Sequence, residues 1–483
     1  MRQTTAQEIV VDPHPTFDLS PHLYSQFMEP LGTTDGSVEA CWDHMQEDWR
    51  PDFVQITKKI APSLIRWGGC FSSYYRWKEA VGPRSKRVPM YNILWGGIET
   101  NQVGTHEFVD LCHRAKAQPF YSVNFESDGR AGWATIPKWG TRSAGPKEAA
   151  DWVDYCNNPD NKQRKSNGAV EPFGLKLWQL GNETSFDPKG FDCETAAKKT
   201  VEFAKAMRHV DPSIQIIAWG DSGWARRMIE VAGDMVNYVA YHTEYRSTMN
   251  NQPFADDQYR LDPDATWEHL MTAADYGYKK LAAMREQVEV SGLPLALTEG
   301  HFMSVPGLNR GRYYSTWATG VAYARIMNMY QRNGDILKIA IICDYAGTNW
   351  MCNGVIIPEL GEKVFMMPVT HIMTLFSHNK GKKATKITKA PEKLDVTASR
   401  TERKIFLHVV NTNRTRSVRT ALRVAGMKVT KGKVFTISQP SEFEVFNRAT
   451  SDLLTPTAED LPATGEWTFP GASVTALELS ITK

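Results

Sequence analysis

The feature that most constrains the fold is a repeated alternation of short apolar runs with stretches of helical period. Eight runs are rich in β-branched and aromatic residues and have the length of strands, namely Leu23–Met28, Ser63–Trp67, Pro119–Asn124, Leu175–Leu180, Ile214–Trp219, Val236–His242, Leu295–Thr298 and Leu337–Cys343. Seven helical candidates lie between them, at Trp49–Ile60, Thr105–Ala115, Lys147–Tyr155, Cys193–His209, Ala225–Gly233, Thr266–Val290 and Arg310–Arg332. Few polar residues interrupt the runs, so each strand is expected to be buried on both faces, as in a parallel sheet covered by helices. Eight such units predict an α/β fold, the (β/α)8 TIM barrel.

An open, doubly wound sheet is the competing architecture. Such sheets usually bind nucleotides through a G-x-G-x-x-G turn after the first strand or through a G-x-x-x-x-G-K-[ST] loop. Neither motif occurs in the expected place in this sequence. The open sheet stays as an alternative without that support.

The sequence pattern changes after about Asn379, where Lys-rich turns separate short strands of alternating polar and apolar residues. These are Leu394–Ala398, Lys404–Val410, Ser417–Val424, Lys433–Thr436 and Ser473–Ile481. They predict an antiparallel β-sandwich over residues 379–483, next to a catalytic barrel over residues 21–378. The segment Glu8–Leu19 also alternates and precedes the first barrel strand, so residues 1–20 are predicted to add a strand to the sandwich.

Charge and composition exclude several classes of partner. The 483 residues include 56 basic and 54 acidic side chains, and no basic block resembles a grip on nucleic acid. The longest apolar runs are far shorter than the ~20 residues that cross a bilayer, so no membrane partner is expected. Seven cysteines without C-x-x-C spacing argue against a disulfide scaffold or a zinc ribbon. No Asp, His or Cys cluster has metal-ligand spacing, and we predict neither a metal nor a cofactor.

Location and assembly follow from weaker signals. The first eight residues lack an apolar signal core, which favours a cytoplasmic protein, or a periplasmic or secreted one if a leader has been removed. A homo-oligomer is expected.

Catalytic groups of a barrel lie just after the carboxyl ends of its strands. Glu183 follows the fourth run directly, beside Asn182, and Glu299 follows the seventh. Two carboxyl groups at one barrel mouth can act as acid and nucleophile in glycoside hydrolysis. Most of the 54 acids in the chain are ordinary loop residues, and the sequence leaves the separation of these two open.

Further motifs occur in the order and spacing of one known family. They are Leu23–Gly32, Ile65–Phe71, Tyr74–Trp77, Gly82–Arg84, Gly104–Phe108, Ala149–Asn157 and Leu177–Glu183. Together they cover most of the predicted barrel and resemble family-51 α-L-arabinofuranosidases, which belong to a clan of retaining (β/α)8-barrel hydrolases. The resemblance implies a barrel with a β-sandwich and paired glutamates on strands four and seven.

The resemblance also implies roles for single residues. Glu183 would be the general acid/base and Glu299 the nucleophile. Asn182 would hold the 2-hydroxyl of the sugar, and Glu29 and Arg66 would line the furanose pocket; a barrel-bottom or loop salt bridge is the alternative for this last pair.

Departures from the family pattern bear on the substrate. The strand-six end reads His242-Thr243-Glu244-Tyr245, which assigns Tyr245 to the position of a nucleophile-orienting tyrosine and adds the acid Glu244. Asp344 falls where the family commonly has glutamine. His242 could bond a carboxylate, a sugar hydroxyl or a purely structural partner, and the loop indoles of Trp95 and Trp350 could stack on a sugar.

These residues predict an exo-acting retaining glycoside hydrolase with a carbohydrate partner. Terminal α-L-arabinofuranosyl groups are the leading substrate. A retaining hydrolase of another neutral glycan, of the β-xylan or β-glucan type, is the first alternative, and a non-catalytic carbohydrate-binding barrel is the second.

Overall fold

Eight parallel strands form a closed barrel in the computed structural model, which describes residues 7–249, 258–302, 315–348, 353–358 and 362–482. The barrel strands are β1 (His22–Met28), β2 (Leu64–Trp67), β3 (Gln118–Val123), β4 (Leu177–Leu180), β5 (Gln215–Trp219), β6 (Tyr238–Tyr245), β7 (Leu295–Phe302) and β8 (Leu337–Gly347). Each pairs in parallel with the next strand, and β8 closes the ring by pairing with β1. The predicted barrel is confirmed, and the open sheet is excluded.

At least one helix follows each barrel strand, and one helix per strand covers the outer face of the barrel. The helices are α1 (Pro51–Ile60), α2 (Thr105–Ala115), α3 (Pro146–Asn157), α4 (Cys193–Val210), α5 (Ala225–Ala232), α6 (Ala273–Val288), α7 (Trp317–Arg332) and α8 (Pro368–His378). Local signals set several of their starts: Pro51 and Pro146 occupy first turns, where a missing N–H costs nothing, and Thr316 caps α7. Helix α8 has no counterpart among the helices predicted from sequence.

The predicted helix Thr266–Val290 is two helices in the structure, Pro263–Met271 and α6. The break falls at Thr272, whose hydroxyl donates to the carbonyl of His269 at 2.9 Å. A threonine side chain that bonds the backbone competes with the helical hydrogen bonds, which explains the interruption. The start of the predicted helix Arg310–Arg332 lies outside the described residues.

Inward-facing residues from all eight strands fill the barrel with an apolar core. This layer comprises Phe27, Leu64, Phe120, Leu177, Ile217, Trp219, Ala240, Ala296, Ile339 and Ile341. Above it, at the carboxyl ends of the strands, buried polar side chains replace the apolar ones, including Arg66, Ser122 and Gln179. The apolar core makes the barrel a solid support, and the polar layer forms the floor of the candidate site.

The second sheet contains an N-terminal strand (Gln7–Asp18) and eight later ones. These are β9 (Lys383–Lys389), β10 (Leu394–Arg400), β11 (Lys404–Asn411), β12 (Val418–Val424), β13 (Lys428–Ser438), β14 (Thr457–Asp460), β15 (Glu466–Phe469) and β16 (Ser473–Thr482). The N-terminal strand pairs antiparallel with β9 and parallel with β12, and the other pairings are antiparallel. The separate antiparallel sheet is thus confirmed, with one parallel pairing. The exact domain bounds stay a prediction.

The sheet domain has its own apolar core and docks on helix α7 of the barrel. Ile9 and Val11 of the N-terminal strand pack in this core with β-sheet residues such as Leu407. At the junction, Trp317 donates its indole N–H to the carbonyl of Ala472 at 2.5 Å. The sheet domain therefore combines a core of its own with a specific polar contact to the barrel.

Short elements complete the loops. Two-residue strands pair as Trp42–Asp43 with Asp48–Trp49, Met90–Tyr91 with Ile98–Glu99, and Thr135–Ile136 with Gly140–Thr141. The strand Asn353–Ile356 pairs in parallel with the end of β8 and antiparallel with Phe365–Met366. Short helices occupy Ser37–Cys41 and Lys162–Ser166. None of the helices in the described ranges is both long and apolar enough to cross a membrane.

Candidate active site

The site lies at the carboxyl ends of the barrel strands, where residues far apart in sequence meet. Glu299 lies within β7, and its side chain is 9% exposed. Its Oε1 accepts a hydrogen bond from Nη1 of Arg66 at 2.7 Å. Arg66, on β2, is fully buried, so its charge compensates a carboxylate that would otherwise be buried without a partner.

Arg66 organises the floor of the site through its remaining nitrogens. Nη2 donates to Oδ1 of Asn182 at 2.7 Å and to Oγ of Ser122 at 3.0 Å, and Nε donates to Oε1 of Gln179 at 3.2 Å. The guanidinium thus orients Glu299 and Asn182 together. The loop or barrel-bottom salt bridge considered for Arg66 does not occur, because its carboxylate partner is Glu299 at the mouth.

Glu183 lies in a sharp turn directly after β4. Its φ is +53°, in the left-handed region, where a non-glycine residue costs on the order of 1–3 kcal/mol and is found preferentially at functional sites. The side chain is 27% exposed, more than that of Glu299. Burial, and next the charge of Glu244, raise the pKa of Glu183 above its ordinary value. The raised pKa favours a carboxyl group that can carry a proton at working pH.

His242, within β6, bridges the two glutamates. Its Nδ1 is 3.0 Å from Oε1 of Glu183 and 3.6 Å from Oε2 of Glu299, and its Nε2 is 3.0 Å from Oγ1 of Thr298. Burial lowers the pKa of His242 to about 4. The ring is therefore neutral near pH 7, where one nitrogen donates and the other accepts.

The two glutamates approach each other closely. One carboxylate oxygen of Glu183, one of Glu299 and a ring nitrogen of His242 all lie within 4.8 Å of one another. Retaining glycosidases hold their carboxyl groups about 5–5.5 Å apart, whereas inverting ones need about 6.5–9.5 Å to admit a water. The separation therefore favours the retaining geometry.

Glu29 and Trp95 extend the site on the β1 side. Glu29 is buried, and its Oε1 accepts the indole N–H of Trp95 at 2.9 Å and the amide of Phe71 at 3.3 Å. Burial, and next the charge of Glu299, raise the pKa of Glu29 to about 8. A carboxyl group that is neutral at pH 7 can donate a hydrogen bond to a ligand oxygen without adding a charge.

Four of the residues predicted from sequence lie elsewhere or outside the described residues. Tyr245 faces outward from β6, and its hydroxyl bonds that of Tyr330 on α7, so it does not orient Glu299. Glu244 lies at the exposed rim, where it accepts from Arg246 at 3.0 Å. Asp344 is buried in β8 on the side of Cys41, outside the group formed by the two glutamates and His242. Trp350 lies outside the described residues.

Some contributors were not predicted from sequence. Ser122, Gln179 and Thr298 each bond a predicted site residue, and Cys70 lies with its Sγ 3.6 Å from Oε2 of Glu183. Ser122 and Gln179 are polar residues inside otherwise apolar strand runs. That interruption is the signal that could have found them, since an inward polar residue in a barrel strand needs a buried partner.

Glu183, His242 and Glu299 also converge as the ligands of a metal ion would, among the described residues. Arg66 already donates to Glu299, and His242 to Glu183 or the reverse, so each carboxylate has a protein partner. The absence of a metal stays a prediction.

Fold and site together define a class: a (β/α)8 barrel with a β-sheet domain and two close glutamates at the ends of strands four and seven. Comparison with known proteins agrees with this class. The family model described as α-L-arabinofuranosidase 1 domain matches residues 56–260. The predicted resemblance to family-51 arabinofuranosidases is thereby confirmed, and this chain is related to them.

Individual relatives show the extent of the similarity. The intracellular exo-α-(1→5)-L-arabinofuranosidase 1 of Bacillus subtilis is 31% identical over 267 residues, which are 51% of this chain and 50% of that protein. The solved family-51 α-L-arabinofuranosidase from Bifidobacterium longum has a TM-score of 0.83 at 19% identity, covering 99% of this chain and 100% of its own. The Thermotoga petrophila enzyme of the same family has a TM-score of 0.80 at 23% identity, covering 98% and 99%. The chain spans about half the length of the curated relatives it matches, and at these identities the solved structures show the fold.

Proposed function

We propose that this protein is a retaining glycoside hydrolase that releases terminal α-L-arabinofuranosyl groups from polysaccharide or oligosaccharide fragments. The close approach of Glu183 and Glu299, within a group of ligand atoms no more than 4.8 Å apart, carries the proposal. The names of the relatives support the choice of sugar.

In the first step, an oxygen of Glu299 attacks the anomeric carbon. The bond from that carbon to the leaving oxygen breaks, and Glu183 gives its proton to that oxygen. In the second step, Glu183 takes a proton from a water whose oxygen attacks the anomeric carbon, and Glu299 is released. Asn182, whose side chain is held by Arg66, contacts the sugar hydroxyl next to the reacting carbon in this proposal.

The distribution of exposure supports action at a chain end. Glu29, Arg66 and Glu299 form a buried floor, while Glu183 reaches the opening. A terminal sugar fits a pocket that is closed at the bottom, and its leaving group departs past Glu183 at the rim.

Proton NMR of the first product from an aryl α-L-arabinofuranoside tests the proposal. Retained configuration is expected, and clean inversion would contradict the role of Glu299 as nucleophile. A panel of aryl glycosides that includes β-xylosides and β-glucosides tests the sugar; turnover confined to a pyranoside would replace the arabinofuranoside assignment, and no turnover at all would leave a binding protein.

Chemical rescue tests the role of Glu183. In Glu183→Ala, azide should restore turnover of an activated aryl substrate and yield a glycosyl azide, because the small anion replaces the base-assisted water. Glu299→Ala serves as the control, since azide should not give the same product of retained configuration there. The absence of any azide product from Glu183→Ala would argue against an acid/base role.

We also propose a cytoplasmic homo-oligomer. The Bacillus subtilis relative is named as intracellular. Tyr91, Leu94, Ile98 and Trp139 form an exposed apolar group, with the rings of Tyr91 and Trp139 in edge contact, and such a group is a candidate for burial between subunits. Light scattering would measure the mass in solution, and a monomer at micromolar concentration would contradict the assembly. Cell fractionation would test the location.

A further inference from the structure

Directly after β3 the chain makes a left-handed turn at Glu126–Gly129. The φ angles are +49° for Glu126, +53° for Ser127, +53° for Asp128 and +82° for Gly129. Only the last of these residues is a glycine, so three successive side chains occupy a region that L-residues avoid. A strained conformation of this kind persists where surrounding contacts hold it, and it is found preferentially at functional sites.

Asp128 is the residue that this turn presents. It is fully buried, and its Oδ1 accepts from the backbone N–H of Asn182 at 3.1 Å and from the hydroxyl of Thr184 at 2.7 Å. Its Oδ2 accepts from the hydroxyl of Ser73 at 2.5 Å. One carboxylate thus joins the loops that follow β2, β3 and β4.

The two residues bonded to Oδ1 lie on either side of Glu183. Glu183 is itself held at a φ of +53°, and Asp128 approaches its turn so closely that a Cβ at Gly181 would be 2.2 Å from Oδ1. The glycine therefore makes room for the carboxylate. Among the described residues, no other side chain bonds both neighbours of Glu183, which gives Asp128 control over the direction of that side chain.

The opposite side of the carboxylate is equally anchored. Ser73 ends the short turn that begins at Cys70, and Cys70 itself contacts Glu183. Arg130 reaches Ser73 at 3.4 Å, and the carbonyl of Asp128 accepts the amide of Phe191 at 3.1 Å. These contacts hold the left-handed turn in place, so the position of Asp128 is transmitted to the turn of Glu183.

We propose that Asp128 is the positioning residue that aims the general acid Glu183 at the leaving oxygen. The inference rests on the proposed function, because it gives Glu183 a proton to deliver. Asp128 does not touch the sugar; it acts by fixing the backbone on both sides of Glu183.

The test compares Asp128→Ala with wild type on two aryl α-L-arabinofuranosides. One has a poor leaving group that needs the proton, and the other has a dinitrophenol, which leaves without it. We expect kcat/KM to fall about 100-fold for the poor leaving group and less than about fivefold for the good one, within the range that general acid catalysis supplies. The basic limb of the pH profile should flatten for the good leaving group only. An equal loss on both substrates would overturn the proposal, as would no loss.

Two further variants distinguish an effect on the orientation of Glu183 from an effect on the stability of the fold. In Asp128→Asn, the amide oxygen can still accept from Asn182 and Thr184 while its NH2 donates to Ser73, so most of the activity should return. Asp211→Ala is the matched control: Asp211 accepts from Ser213 and Asn157 at the opposite end of the barrel, and its loss should lower Tm without changing the leaving-group dependence. If Asp128→Asn stays as impaired as Asp128→Ala, hydrogen bonding to the Glu183 turn is not the cause.

If Asp128→Ala does not fold, Thr184→Val removes one of the bonds at nearly constant shape. It should show the same selective loss on the poor leaving group, in smaller measure, and a loss equal on both substrates would overturn the inference. If wild type cleaves no aryl glycoside, the proposed function fails separately. The crystal structures of wild type and Asp128→Ala then decide: the separation of Glu183 Oε1 from His242 Nδ1, now 3.0 Å, should increase, and an unchanged position would overturn the inference.

Discussion

Two partly buried acids, Glu183 at the barrel mouth and Asp395 at the junction with the β-sheet domain, have opposite surroundings. Asp395, at the start of β10, accepts from Arg332 at 2.6 Å, from Arg325 at 3.2 Å and from Asn328 at 3.0 Å. Burial alone would raise the pKa of Asp395, but the arginines and Asn328 lower it below the ordinary value. Among the described residues no arginine bonds Glu183 directly, and burial raises its pKa. Asp395 therefore stays ionised and pairs with the arginines at the junction. The surroundings of Glu183 instead favour the protonated carboxyl group that a general acid needs.

The largest expected effect is the loss of activity when the site at the barrel mouth is disrupted and the junction with the β-sheet domain is left intact. Glu299→Ala should reduce kcat by at least about 10⁴-fold, because the covalent intermediate cannot form. Its Tm should also fall, because the fully buried Arg66 loses its carboxylate partner although Asn182, Ser122 and Gln179 remain bonded to it. Steady-state kinetics and calorimetry on one preparation measure both quantities. Activity within tenfold of wild type would rule out Glu299 as nucleophile.

The next largest effect is a loss of stability when the junction is disrupted and the site at the barrel mouth is left intact. Asp395→Ala should lower the free energy of unfolding by about 3 kcal/mol, because the partly buried Arg325 and the buried amide of Asn328 lose their acceptor, while the bond to the exposed Arg332 adds little. Urea denaturation measures the change, and kcat of the folded variant should equal that of wild type. Asp335→Ala is the matched control: its pair with Arg285 is largely exposed, so its loss should cost about 1 kcal/mol or less.

The pH dependence of stability sharpens the same contrast. Asp395 has a lowered pKa, so its contribution to the stability of the folded state is present above about pH 3.8 and is lost as the pH falls below that. Asp395→Asn should therefore be less stable than wild type at pH 7, and the difference should shrink below about pH 3.8. Glu183 has a raised pKa, so ionisation costs stability as the pH rises above 4.5; Glu183→Gln should be more stable than wild type at pH 7 and equal to it near pH 4. Denaturation series at several pH values measure both. Parallel curves for the two variants would show that the acids do not differ as described.

The smallest effect concerns Glu244, whose charge is the second cause of the raised pKa of Glu183. Glu244→Gln should move the basic limb of the kcat/KM profile to lower pH, because the carboxyl of Glu183 then loses its proton more readily. At the optimum the activity should change by less than about fivefold, since Glu244 is exposed and pairs with Arg246. A large rise in KM would instead show that Glu244 contacts the sugar.

Much of the fold and part of the site could be predicted because the signals are local. Apolar runs identified all eight barrel strands, and the position of Glu183 and Glu299 after two of them identified the glutamates. Tyr245 could have been assigned correctly from strand period: Ala240 and His242 face inward, so Tyr245, an odd number of residues further, faces outward.

Asp344 was harder to place from sequence. Cys343 has a φ of +61°, and the pairing register of β8 with β1 shifts between Ile341 and Asp344. Such a bulge changes which residues face the barrel interior. No local pattern in the apolar run predicts the bulge, because the bulge depends on contacts with neighbouring strands.

The sequence by itself determined the alternation of strands and helices, the second sheet and the two glutamates at strand ends, since periodicity and turn residues act over a few positions. Only the tertiary structure decided how those glutamates differ. They are more than a hundred residues apart in the chain, and closure of the barrel brings them together. Arg66 on a third strand then bonds Glu299, and His242 on a fourth bonds Glu183, which fixes the directions of the two side chains. Electrostatic character depends on burial and on neighbours in space, and these exist only once the barrel has closed.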